Sequence, residues 1–159
     1  MKADVYWVIP QRLAILPKPR GGEWLDDEIA SYAAQGLQVL LTLLEPAEEI
    51  ELGLTDEVVL AEMHGLDFMR YSVPDRGVPK SATLFAEVIN DLADSGKAIG
   101  VHCRSGIGRS GLATAAIMLR LGHTLESAWA AIGKVRRVPV PDTPEQRAWL
   151  EKHAALFAR

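Results

Sequence analysis

The chain has 159 residues, 48% of them hydrophobic and 24% charged, a balance that suits one soluble domain with a real core rather than a disordered or fibrous chain. Its 17 Lys and Arg against 21 Asp and Glu leave a formal charge of −4, which argues against a general nucleic-acid binder, since such proteins need a clustered basic excess. The one cysteine cannot close an internal disulfide, the opening MKADVYWVIP lacks the apolar run of a signal peptide, and no stretch approaches a membrane span; the expectation is a cytoplasmic protein tied to no membrane.

Tyr6 to Ile9 reads as a strand, with Leu13 to Leu16 as its hairpin partner. Pro17 to Gly22 is a loop by every turn signal. From Glu23 to Gln35 apolar residues recur at helical spacing behind acidic first turns, and Gly36 is the stop. Leu37 to Leu44 is a buried strand ended by Glu45-Pro46, and Glu48 to Leu52 a short helical turn. Thr55 is expected to cap a helix from Asp56 to His64, which Gly65 ends. Leu66 to Val73 alternates as a third strand. Pro74 to Pro79 is a loop, and Ser81 opens a helix to about Asp94 with Leu84, Phe85, Val88, Ile89 and Leu92 as its stripe. Thr124 caps a helix to about Arg136, Val138 to Asp142 is a proline-stiffened link, and Thr143-Pro144-Glu145-Gln146 opens the last helix with a capping box. Strands separated by helices predict a single α/β domain over residues 1–159, with a central mainly parallel sheet.

Between these lies the stretch around which the rest is organised. Ala98 to Val101 is a short buried strand, and Leu112 to Leu121 an apolar helix stopped at Gly122. Joining them, His102-Cys103-Arg104-Ser105-Gly106-Ile107-Gly108-Arg109-Ser110-Gly111 is a glycine-rich turn. Backbone N–H groups of such a turn, with the positive end of the following helix, make an anion site. The sole cysteine opens the loop and Arg109 closes it. A thiol among amide donors, a guanidinium and a helix N-terminus is expected to ionise easily and to attack phosphorus. In parallel sheets ligands sit at the carboxyl ends of strands, which lets the loop after Val73, with Asp75, lie beside Cys103.

The loop, with both glycines, the Arg-Ser pair and the upstream Pro74-Asp75-Arg76-Gly77-Val78-Pro79 segment, resembles the signature of cysteine-dependent protein tyrosine phosphatases. The compact size resembles their dual-specificity branch, and more narrowly the kinase-associated phosphatases and their small prokaryotic relatives. The similarity runs from the Trp7 strand to the Gln146 segment. It implies that Cys103 is the nucleophile and forms a cysteinyl-phosphate, while Arg109 binds two phosphate oxygens. It implies further that amides from Arg104 through Ser105, Gly106, Ile107 and Gly108 to Arg109 cradle the rest. Ser110 would donate to the sulfur, Asp75 would serve as general acid and then base, and His102 would orient the loop. No metal or organic cofactor is implied.

Plainer explanations compete at several positions. A lone cysteine is most often a small buried hydrophobe, but a place between His and Arg at a strand's carboxyl end favours chemistry. Asp75 also suits a turn, Ser110 a helix start, and Arg76 a solvated surface charge; catalysis is favoured for the first two only. Gln146 is accounted for by its capping box, while the larger relatives place a glutamine where this chain has Asp142. Trp24, Trp129 and Trp149 are expected on apolar helix faces, packed in the core or at its rim, and His64, His123 and His153 at surface helix ends.

The substrate implied is a phosphorylated protein or peptide, phosphotyrosine first and phosphoserine or phosphothreonine besides, with inorganic phosphate and vanadate as ligands and a monomer as the working form. Arg104, Ser105 and Ile107 lack the lysines of relatives that act on inositol phospholipids. The segment from Arg12 to Trp24 is expected to wall the substrate groove. Open alternatives are a phosphate-binding module without turnover, a thiol redox enzyme of the arsenate-reductase kind, though no resolving cysteine is present, and a phosphatase for a nonprotein monoester.

Overall fold

Strand residues alternate between two apolar faces, and that alternation sets the layers of a computed structural model that describes residues 2–159. The five strands are β1 (Tyr6–Ile9), β2 (Leu13–Leu16), β3 (Val39–Thr42), β4 (Asp67–Arg70) and β5 (Ile99–His102). They form one sheet in the order β1-β2-β5-β3-β4, parallel throughout except for the β1–β2 hairpin. Leu13, Ile15, Val39, Leu41, Ile99 and Val101 face one core cluster, whereas Ala14, Leu16 and Leu40 face the other.

Among the described residues seven α-helices cover the two faces. Helices α4 (Ala82–Asp94), α5 (Arg109–Arg120), α6 (Leu125–Arg136) and α7 (Pro144–His153) bring Phe85, Ile89, Ile117, Ile132 and Leu150 to the first cluster. Helices α1 (Leu25–Ala34) and α3 (Glu57–Met63), preceded by the short α2 (Pro46–Glu51), close the second with Leu25, Ile29, Tyr32 and Ala61. Helix α5 is central: every residue from Arg109 to Leu119 is buried, so its positive end is held in a fixed place beneath the β5 loop.

The predicted elements are present, with shifted ends. Helix α5 starts at Arg109 rather than Leu112, because Gly111 and Leu112 donate to Ile107 and Gly108 carbonyls and wind the Arg-Ser pair into the first turn. Helix α2 begins at Pro46, since Glu45 and Glu48 form a capping box around a proline first position. Thr55 does not cap α3: Asp56 holds that place, without a side-chain bond. Trp24 is 49% exposed, in a 3-10 turn where the periodicity predicts a packed helix face, and the Arg20 guanidinium lies over its ring at 4.9 Å. Arg12 is no part of a groove at the strand ends. It stands at the opposite end of β2, where its guanidinium donates to the Lys97 and Ala93 carbonyls.

One buried pair fixes the end of β5 that carries the loop. His102 is wholly buried, with Nε2 2.5 Å from Glu57 Oε2 of α3 and Nδ1 3.1 Å from the Cys103 carbonyl oxygen. A backbone carbonyl and a carboxyl group beside the two ring nitrogens are both natural acceptors, an arrangement that favours the doubly protonated, cationic ring. Burial disfavours that charge, but the Glu57 carboxylate and the two hydrogen bonds outweigh it and hold the pKa above the ordinary 6.5. A raised folded-state pKa adds stability that is complete below the unfolded value and is lost as pH rises through the folded one. Glu57→Gln is therefore expected to cost about 3–5 kcal/mol in urea unfolding near pH 6, with the gap to wild type narrowing as the pH rises through the raised folded-state value. A gap that does not change with pH would show that the ring carries no charge.

Candidate active site

The parallel strands β2 to β5 all end on one edge, and the loops that follow them meet there. The central one, Cys103 to Gly108, joins β5 to α5. Gly106 has φ +75°, and a Cβ there would lie 2.6 Å from the Leu16 carbonyl oxygen, so only glycine passes beneath the end of β2. The loop's carbonyls are held on its outer side. Lys18 N donates to Arg104 O at 3.1 Å, while Arg136 of α6 donates from Nε to Gly106 O at 3.0 Å and from Nη2 to Ser105 O at 3.1 Å. Arg136 is itself positioned over the Tyr6 ring at 4.2 Å. With those oxygens turned out, the amides face inward, and among the described residues those of Arg104 to Gly108 donate to no backbone carbonyl. Free amides above a helix N-terminus form an anion cradle.

Cys103 is 2% exposed, and its Sγ lies 3.1 Å from Ser110 Oγ in the first turn of α5. Arg109, also buried, donates from Nη1 to Glu48 Oε1 at 2.6 Å and to Val73 O at 2.9 Å. Its Nη2 donates to Glu48 Oε2 at 2.9 Å and to Asp75 Oδ1 at 3.2 Å. Burial opposes the charge of Arg109, yet the Glu48 hydrogen bonds and the nearby Cys103, Glu48 and Asp75 raise its pKa further. Burial likewise opposes ionised Glu48, but hydrogen bonds from Arg109 and the Glu45 backbone, with the charges of Arg109 and Arg104, hold its carboxyl below the usual range. Glu48 is the site residue that sequence reasoning missed. Its one readable signal is the Glu45-Pro46-Ala47-Glu48 capping pattern directly after a strand, which places a fixed carboxylate at the ligand edge of the sheet.

Asp75, Arg76, Cys103, Arg104, Ser105, Gly108, Arg109, Asp142 and Gln146 line one small polar cleft, so the loops bearing Cys103 and Asp75 do meet. Asp75 itself is largely exposed, on a turn closed by Gly77 N donating to Pro74 O at 2.8 Å. Arg76 is the exposed surface charge expected, and it is also paired: it adopts φ +58° and its Nη1 lies 2.6 Å from Asp142 Oδ2. Gln146 forms the predicted capping box with Thr143, and its buried side chain also donates to Gly77 O at 3.0 Å. It thus joins the Asp75 loop to α7. Ser105 is exposed, Ile107 packs against the first core cluster, and a Cβ on Gly108 would meet Asp142 Cβ at 2.9 Å. Among the described residues no group of three or more His, Cys, Asp or Glu is arranged to hold a metal ion, and no helix is long and apolar enough to cross a membrane.

The fold is similar to that of known phosphatases. Kinase associated phosphatase with its catalytic-site cysteine replaced by serine superposes with a TM-score of 0.84 at 17% identity, over 98% of each chain. Tk-PTP in its active form gives 0.77 at 23% identity over 98% of this chain and 99% of that one, and PTPMT1 gives 0.76 at 19% over 97% and 96%. Residues 16–123, well over half of the chain, match the model of a family described as "Polymorphic toxin system, DSP-PTPase phosphatase". The chain belongs to that family, and is a phosphatase of the dual-specificity type within the cysteine-dependent superfamily that its loop resembles.

Proposed function

We propose that the protein hydrolyses phosphotyrosine, and phosphoserine or phosphothreonine besides, in proteins or peptides through a cysteinyl-phosphate intermediate, with residues 1–159 acting as one monomeric phosphatase domain. The observation that supports this most is the convergence of a cysteine sulfur, a serine hydroxyl, a paired arginine and a carboxyl group on a cleft roofed by unengaged amides. A nucleophilic thiol needs a reducing compartment, for which the cytoplasm is proposed.

In the first step the Cys103 thiolate attacks phosphorus. The S–P bond forms as the P–O bond to the leaving group breaks, and Asp75 gives its proton to the departing oxygen. The phosphoryl oxygens rest on the amides of Arg104 to Arg109 and on the Nε–Nη2 edge of Arg109. Glu48 occupies the opposite Nη1–Nη2 edge, so that side of the guanidinium is free once Asp75 yields its bond to Nη2. In the second step Asp75 takes a proton from water, whose oxygen attacks phosphorus. The S–P bond breaks, and Ser110 donates a hydrogen bond to the leaving sulfur.

Hydrolysis of para-nitrophenyl phosphate across pH tests these roles. Cys103→Ser is expected to show no turnover, and Asp75→Asn to lose the alkaline limb of a bell-shaped profile with about 10²–10⁴ of the rate. Full activity in the serine variant would refute the nucleophile. A second expectation concerns Glu48. Glu48→Gln removes one charge-assisted hydrogen bond, worth about 1.5–3 kcal/mol, and is expected to lower kcat/KM about ten- to a hundredfold. It should weaken vanadate inhibition in parallel while leaving both limbs of the pH profile in place; unchanged vanadate affinity would remove Glu48 from phosphate binding.

A further inference from the structure

On the far side of Arg104 from the cleft lies a groove of ≈ 550 Å³, a size suited to several side-chain atoms of a ligand. Its floor is α1, through Glu28 and Tyr32, and its walls are the N-terminal segment and the loop that follows β2. Lys2, Lys18, Arg20 and Arg104 line it together with Asp4 and Glu28; Arg20 pairs with Glu28, and Arg104 with Glu48 and Glu51, so the local positive excess is that of Lys2 and Lys18 in a chain whose formal charge is −4. Arg20 is held in place. Its backbone N and its Nε both donate to Glu28 Oε1, at 2.9 and 3.0 Å, and its guanidinium lies over Trp24. Glu28 engages only Nε of the side chain, so among the described residues both Nη groups of Arg20, a residue that lines the groove, lack a protein acceptor. Lys2 and Lys18 belong to no ion pair among the described residues. Arg104 is the link: it lines both the groove and the catalytic cleft, so one molecule with its phosphate in the cleft can reach across it.

A planar fork beside two unpaired ammonium groups fits a carboxylate. We infer that the groove is a second recognition site, taking the carboxylate side chain of an acidic residue close to the phosphorylated residue of a peptide substrate. It rests on the peptide-phosphatase function proposed above and adds the substrate's charge to it. Lys18 supplies the charge best suited to alteration, because only its backbone N–H supports the catalytic loop.

The test compares kcat/KM for two phosphotyrosine peptides that differ only in carrying acidic residues or alanines on both sides of the phosphotyrosine. Wild type is expected to favour the acidic peptide about tenfold at low salt, with the preference shrinking at high salt as the ionic contacts are screened. Lys18→Glu should bring the ratio to one or invert it, and Arg20→Gln should lower it. Equal values for the two peptides in wild type, or an unchanged ratio in Lys18→Glu, would overturn the site while leaving peptide hydrolysis intact. If neither peptide turns over although para-nitrophenyl phosphate does, the peptide-phosphatase function fails and the acidic-residue site falls with it.

Discussion

The arrangement at the ligand edge depends on one buried guanidinium. Arg109 is 3% exposed, and taking its charge out of water is costly unless its donors are satisfied. Glu48 satisfies it from the segment after β3, Val73 and Asp75 from the segment after β4, and the arginine itself opens α5. Pieces of chain far apart in sequence are thus bound to one planar group. A buried ion pair is weak support for stability by itself. Here its geometry matters more: Glu48 takes the Nη1–Nη2 edge, which aims the remaining edge at the cleft.

Around that group the backbone is arranged by its carbonyls. Lys18 and Arg136 take the oxygens of Arg104, Ser105 and Gly106 from outside, and His102 takes that of Cys103 from below. Each such bond orients the neighbouring peptide plane, and amides pointing into the cleft follow from oxygens pointing out of it. The brace is spread over the loop after β2, α6 and, through Glu57, α3, so the loop's conformation is set by the packing of the whole domain. Preorganised donors of this kind need little rearrangement when a dianion arrives.

Much of this was legible in the sequence because it is local. The β5 run, the glycine turn, Cys103, Arg109 and Ser110 are contiguous, so strand, loop and helix signals place them without tertiary knowledge. Asp75 is separated from them, yet parallel topology alone brings its loop to the same edge. Glu48 illustrates what stays hidden. Its capping box is a local pattern, but the pairing with Arg109 exists only once β3 lies beside β5. Gln146 combines both levels: the capping box is readable, whereas its bond to Gly77 depends on how α7 docks. Trp24 has helical spacing, but the chain is still in a 3-10 turn there and the ring turns toward Arg20 instead of the core. Arg12 sits on the wrong end of a strand to wall the groove, since strand direction is not encoded in composition.

The central chemical claim is that phosphate passes through the sulfur of Cys103. Its most direct measurement is rapid acid quenching of wild type during turnover of an aryl phosphate, followed by mass spectrometry of the peptide that carries Cys103. The mechanism predicts a population in which that peptide has gained one phosphoryl group, formed as fast as the first equivalent of phenol appears, with the same adduct persisting longer when Asp75 is replaced by Asn. Steady turnover with no adduct on Cys103, or with the phosphoryl group on another residue, would contradict it.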